Sequence, residues 1–169
     1  MPELRSGIEP ARGPAYRRDR VALRDWGLFA AARFTRGVDI LIRRGDFARV
    51  TEAMEAAGFR CRHIRKVDMF LDGPNARAVD AVHVLFAGER VGKDDPLPTP
   101  SLDDIERTAT FRVIGLEPLV GMKLVSYRDK DRTHLRDMID VGLIDASWPQ
   151  RFPAPLDERL QGLLDDPDG

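Results

Sequence analysis

Cysteine, aromatic residues and long apolar runs are scarce in this sequence. Cys61 is the single cysteine among 169 residues, which excludes an internal disulfide and a zinc site built from several cysteines. The net charge of -1 gives no general electrostatic reason to bind nucleic acid or a membrane. No apolar stretch reaches the roughly 20 residues that a membrane-spanning helix needs. We therefore predict one domain in the reducing cytoplasm, without a membrane partner.

The rest of the composition is that of an ordinary globular protein, with 43% hydrophobic and 33% charged residues. Residues 1–25 combine Pro, Gly and Arg without periodicity, so we expect a mobile basic arm. Residues 26–148 run from a strand through a helix and several strands to further helices. Residues 149–169 are predicted to be a C-terminal tail with a short helix. This order predicts an α/β (α+β) fold, in which helices flank a mixed sheet in a single domain.

The first candidate for chemistry is an acid inside a predicted strand. VDILI (38–42) has the β-branched content of a strand covered on both faces, and Asp39 is its one charged residue. A carboxylate at the end of a central strand is a suitable ligand for Mg²⁺ in phosphoryl transfer. The second acid could be Asp80, or the partner could be His83. Strand alternation allows at most one of these two side chains to point at Asp39.

The second candidate is a lysine on a helix predicted from Leu116 to Arg128. Lys123 falls in the middle of the apolar stripe of that helix, where an ammonium without a partner is costly to bury. Either its long stem carries the charge past the core edge into water, or the ammonium faces phosphate oxygens or a buried carboxylate. Asp131 projects onto the inner face of the next helix, at a position where an acid also caps free amides.

These residues resemble the nucleotidyltransferase superfamily, and specifically the small bacterial proteins related to abortive-infection toxins of type IV toxin–antitoxin systems. In that family a strand carries an Arg-x-Thr-x-Asp-x-Asp pattern followed by Ile, Leu or Val, and here Arg33, Thr35 and Asp39 match. HVLFAGE resembles a later strand that precedes a Gly-Glu pair. LVGMKLVSYRDKD resembles a Leu…Lys-Leu…Arg…Lys-Asp stretch of the same family. The resemblance covers residues 26–144.

The resemblance implies an enzyme that transfers a nucleotide from an NTP to a hydroxyl group on tRNA, a protein or a small molecule. Asp39 and Asp80 would hold Mg²⁺ or Mn²⁺, and with His83 they would form the catalytic group. The residues that would bind the substrate or its phosphates are Arg33, Thr35, Lys123, Lys130 and Asp131. Among these, Asp131 would act by orienting one of the two lysines. A cognate antitoxin is the implied protein partner.

Departures from the family pattern leave a second hypothesis open. Gly37 stands where the first acid of the pair is expected, His83 stands at the third acid, and His134 replaces an acid that relatives repeat after Lys-Asp. The glycine motif that normally opens the site is not recognisable in DWGLFAAA. The alternative is a catalytically degenerate nucleotidyltransferase fold that binds a nucleotide, RNA or a partner protein. Two further hypotheses are an altered start that has removed the glycine motif and a transition-metal site that uses the histidines.

Overall fold

A computed structural model describes four stretches of the chain, which are residues 37–64, 67–103, 105–107 and 112–166. Arg33, Thr35 and the arm predicted at 1–25 lie outside these residues. In chain order the described helices and strands are β1 (Val38–Ile42), α1 (Phe47–Ala56), β2 (Phe59–Ile64), β3 (Val67–Asp72), β4 (Val82–Phe86), β5 (Ile105–Arg107), β6 (Arg112–Ile114), α2 (Leu116–Ser126), α3 (Asp129–Asp140) and α4 (Leu156–Asp165). The prediction of a mixed sheet flanked by helices in one domain is confirmed.

The main sheet has four strands in the order β1, β4, β3, β2. β1 runs parallel to β4, whereas β4 with β3 and β3 with β2 are antiparallel. Asp39 lies opposite His83 in the register of β1 and β4, and Met69 of β3 lies opposite His83 on its other side. Residues opposite one another across strands project to the same face, so Asp39 and His83 emerge side by side.

Helix α1 covers the other face of this sheet. The ring centroid of Phe47, the first residue of α1, lies 5.6 Å from that of Phe86 on β4 and 6.4 Å from that of Phe70 on β3. Phe70 is fully buried. After α1 the chain reverses at Gly58, whose φ of +91° lies in the left-handed region that glycine adopts without strain. This turn leads directly into β2, which packs beside the helix.

Helices α2, α3 and α4 enclose a second apolar core. Its buried residues are Val120, Leu124, Leu135, Met138, Ile144, Trp148, Phe152, Leu156, Leu160 and Leu163. Leu156, Leu160 and Leu163 follow one another at helical spacing, so one face of α4 is buried against the other two helices. The C-terminal region 149–169 is therefore part of the folded core over the length of α4. Every helix in the described ranges is too short or too polar to cross a membrane.

Arg159 ties α4 to the end of α2. Its Nη1 donates to the carbonyl oxygen of Leu124 at 2.7 Å and to that of Val125 at 3.3 Å. Carbonyl groups in the last turn of a helix receive no hydrogen bond from an N–H group of the helix, so they need another donor. A cation at this end also interacts favourably with the helix dipole. Arg159 therefore fixes the carboxyl end of the helix that carries Lys123.

Candidate functional site

Asp39 and His83 form the part of the candidate site that lies on the sheet. The Oδ1 atom of Asp39 is 3.5 Å from Nδ1 of His83, and their side chains are 69% and 27% exposed. The expectation that Asp39 lies in a central strand is wrong, because β1 is the outer strand of the described sheet. Its face of β1 is also not covered by the described residues, since the Asp39 side chain is 69% exposed. The carboxylate therefore faces solvent while the strand keeps it beside His83.

Asp80 lies outside the strand to which the sequence assigned it. It ends a 3₁₀ turn, Ala78–Asp80, and β4 begins only at Val82. Its carboxylate accepts a hydrogen bond from Nε of Arg77 at 3.1 Å. The alternation argument between Asp80 and His83 therefore does not apply, and the register places His83 opposite Asp39.

Lys123 supplies a largely buried cation from the helical side. Its side chain is 16% exposed, and Nζ donates to Nδ1 of His134 at 2.9 Å. The nearer carboxylate oxygen of Asp131 is 3.9 Å away. Burial lowers the pKa of Lys123 below its ordinary value, while the carboxylates of Asp131 and Asp39 act in the opposite direction. Lys123 therefore interacts electrostatically with both the sheet and α3.

Asp131 organises the start of α3. Its side chain is 6% exposed, and its Oδ2 accepts hydrogen bonds from Oγ of Ser126 at 2.5 Å and from Nε of Arg128 at 2.7 Å. The backbone N–H of Arg128 also donates to Oδ2, at 3.4 Å. Burial acts to raise the pKa of Asp131, but the hydrogen bonds from Arg128 and Ser126 outweigh it and leave the pKa below its usual range. Asp131 thus both caps the helix and faces Lys123.

The remaining predicted residues differ in how closely they approach this cluster. Lys130 is exposed, and its charge acts to lower the pKa of Lys123. The sequence did not predict the hydrogen bonds of Arg128 to Asp131 and of His134 to Lys123. Asp131 lies three residues after Arg128 and three before His134. Residues at this spacing are neighbours on a helix, so the spacing could have predicted that the three side chains lie close together.

The described residues do not fit a two-magnesium centre. Mg²⁺ takes oxygen ligands in near-octahedral geometry, and a two-metal site shares several carboxylates. Asp39 is paired with an imidazole, and Asp80 is paired with Arg77. Within the four described stretches, no three His, Cys, Asp or Glu side chains are grouped so that they could hold a metal ion. The donors that meet on the sheet, one carboxylate and one imidazole, are too few for two shared ions.

Gly37, where the resemblance implies an acid, lies close to the backbone of the turn before β4. A Cβ atom at Gly37 would lie 3.1 Å from the carbonyl oxygen of Ala81 and 3.2 Å from that of Val79. It would also lie 3.4 Å from Cε1 of His83. These contacts with the backbone are shorter than ordinary van der Waals distances, so a side chain at this position would require the turn before β4 to shift by a few tenths of an ångström.

Comparison with protein-family models, curated proteins and solved structures returns no match to this chain.

Proposed function

We propose that this chain is a nucleotidyltransferase-like protein that binds the phosphate groups of a nucleotide at Lys123. The observation that carries the proposal is a largely buried ammonium whose nearest polar partner, His134, is an imidazole nitrogen at 2.9 Å. An imidazole that accepts this bond is neutral, so it holds the ammonium without cancelling its charge. A compact positive charge in a site shielded from water attracts phosphate oxygens strongly.

The charges around Lys123 also favour an anionic ligand. Asp131 is the nearest acid, but its Oδ2 already accepts hydrogen bonds from Arg128 and Ser126. Arg128 and Lys130 add two further positive charges that act on Lys123. Three cations therefore face two carboxylates, those of Asp131 and Asp39. The excess of positive charge suits a polyphosphate, and a cytoplasmic location belongs to the same proposal because nucleoside triphosphates are substrates there.

Replacing Lys123 by Met is expected to weaken binding of a nucleoside triphosphate by roughly 10-fold to 100-fold, the effect of losing one hydrogen bond to a charged group. Isothermal titration calorimetry with ATP, GTP, CTP and UTP measures this on the full chain, with and without Mg²⁺. Tripolyphosphate as a further titrant separates recognition of the phosphates from recognition of the nucleoside.

Lys93→Met is the matched control, because Lys93 is an exposed lysine in the loop after β4 and its replacement removes the same charge. Wild type and the Lys93 variant should bind alike. If the Lys123 variant binds triphosphates as tightly as wild type, or if wild type binds none of them, the proposed function is wrong.

A second candidate function is nucleotidyl transfer itself, and the contact between Asp39 and His83 favours it. A carboxylate 3.5 Å from Nδ1 favours the tautomer with the proton on Nδ1, which leaves Nε2 able to take a proton. In this step an acceptor hydroxyl oxygen bonds to the α-phosphorus while the bond from phosphorus to the pyrophosphate oxygen breaks. The hydroxyl proton passes to His83, pyrophosphate leaves, and Lys123 balances phosphate charge.

Replacing Asp39 by Ala is expected to reduce such transfer by about 100-fold, the lower end of the range for general-base catalysis, because His83 loses the carboxylate that orients it. The assay incubates the protein with each α-labelled NTP, Mg²⁺ or Mn²⁺, and either total tRNA or a candidate protein acceptor. Asp72→Ala, which removes an exposed acid at the end of β3, is the control. Absence of label transfer by wild type would leave nucleotide binding as the function and exclude transfer to these acceptors.

A further inference from the structure

His134 is the closest polar partner of the Lys123 ammonium among the residues that the structure describes. It lies on α3, three residues after Asp131, so both side chains can approach α2 from the same side of their helix. Nζ of Lys123 is 2.9 Å from Nδ1 of His134 and 3.9 Å from Oδ1 of Asp131. An ammonium group has hydrogens to donate and no lone pair to accept with. Nδ1 of His134 is therefore the acceptor, and the proton of the neutral ring is on Nε2.

A neutral acceptor and a charged acceptor have different consequences for a ligand. Both fix the direction in which the ammonium points. A carboxylate at the same distance would in addition neutralise most of its field, and this effect is large where water is excluded. The charged groups that act on Lys123 are two carboxylates, Asp131 and Asp39, and two cations, Lys130 and Arg128. The identity of the residue at 134 therefore decides whether the cluster is positive or balanced.

We propose that His134 is a positioning residue that directs Lys123 towards a polyphosphate while leaving the positive charge of the lysine available to that ligand. The inference rests on the proposed phosphate binding at Lys123, and it adds the residue that sets the direction and net charge of the site. A polyphosphate fits better than a singly charged anion, because Lys123, Arg128 and Lys130 outnumber the two carboxylates that act on Lys123 and several negative charges gain most from that excess.

The test compares three replacements of His134 in the full chain. His134→Asn places an amide oxygen close to the position of Nδ1 and keeps a neutral acceptor. His134→Asp introduces a side chain of nearly the same shape as Asn but with a negative charge. His134→Ala removes the acceptor. Calorimetry with ATP and with tripolyphosphate should give nearly unchanged affinity for the Asn variant and an affinity at least about 5-fold weaker for the Asp variant. The Ala variant should lie between them.

A second measurement tests the contact without any ligand. NMR titration of ¹³C-labelled lysine side chains follows the ionisation of Lys123, with Lys123→Met used for assignment. The titration midpoint should rise in the Asp variant relative to wild type and stay nearly unchanged in the Asn variant, since only the Asp variant adds a charge. Thermal unfolding of all the variants identifies any that is not folded, and the comparison of the Asn and Asp variants does not depend on the Ala variant.

The outcomes separate this inference from the proposed function. If Lys123→Met binds ATP like wild type, both fail. If Lys123→Met weakens binding but His134→Asp binds like wild type, the proposed function stands and the inference alone fails. Equal Lys123 midpoints in the Asn and Asp variants would also overturn the inference, because they would show that residue 134 does not act on the ammonium.

Discussion

Replacing Leu160 by Ala is expected to lower the free energy of unfolding by about 2–5 kcal/mol, the range for removing a large aliphatic side chain from a packed core. Leu160 is fully buried in the middle of α4, between Leu156 and Leu163. The lost stability has two contributions: the hydrophobic transfer free energy of the atoms removed, and the cavity that remains in the core. Urea denaturation followed by circular dichroism measures the change.

Gln161→Ala is the control for this prediction. Gln161 is the next residue along α4, is exposed, and makes a 2.8 Å hydrogen bond to Asp165 on the surface of the helix. Its replacement should change stability by no more than about 0.5 kcal/mol, as is usual for surface positions. If Leu160→Ala were equally mild, α4 would not belong to the cooperative core, and the packing of the C-terminal region described above would be wrong.

Replacing Asp131 by Ala is expected to cost about 3 kcal/mol, near the lower limit for removing one partner of a buried ion pair. The lower limit applies because Arg128 is 61% exposed and recovers part of its hydration, whereas Lys123 at 16% exposure does not. The variant also loses the hydrogen bond from Ser126. Chemical denaturation at pH 7 measures the change, and Asp129→Ala, at a carboxylate that is 92% exposed on the same helix, is the control.

The contribution of Asp131 should also depend on pH in one direction. Its pKa in the folded protein is held below the ordinary value of 3.8. The unfolded state therefore takes up a proton first, so the stabilisation is complete above about pH 4 and is lost as pH falls through the lower, folded-state pKa. Asp131→Asn should show a larger stability deficit at pH 7 than at pH 3. A deficit that is equal at both values would contradict the proposed charge interaction.

Three of the departures from the pattern that the resemblance implies have a common physical consequence. Gly37, His83 and His134 each place a neutral or weakly basic residue where the resemblance implies an acid. Fewer carboxylates reduce the capacity of the site to hold divalent cations. They also leave Lys123 less compensated, which favours direct binding of an anion. Under the proposed function, the cations of the protein bind the phosphates directly, in place of contacts made through metal ions.

Several features of the fold followed from local patterns in the sequence. The β-branched run VDILI predicted β1, and the apolar stripe around Lys123 predicted a helix from Leu116 to Arg128 that corresponds to α2. The position of Asp131 on the inner face of α3 was also predicted, and Asp131 is buried there together with Leu135 and Met138. These features depend on the spacing at which apolar residues recur in a helix or a strand, which residues close together in the sequence largely decide.

The contacts of the candidate site could not be obtained in the same way. The sequence left Asp80 and His83 as alternatives, and only the register of β1 with β4 placed His83 opposite Asp39. It also did not predict that His134 contacts Lys123, because that contact joins two helices whose packing depends on a core formed by distant segments. Pairing across strands and between helices is decided by the closing of the whole chain, and side-chain periodicity carries no information about it.

The sequence by itself thus determined the class of fold, the scarcity of cysteine that excludes disulfides, and the presence of a lysine on an apolar helix face. Tertiary structure decided which group holds that lysine, which neighbour Asp39 has, and how exposed Asp39 is. The physical reason is that burial and partner choice arise when β1 joins β4 and α2 packs on α3, so they are properties of contacts between segments far apart in the chain.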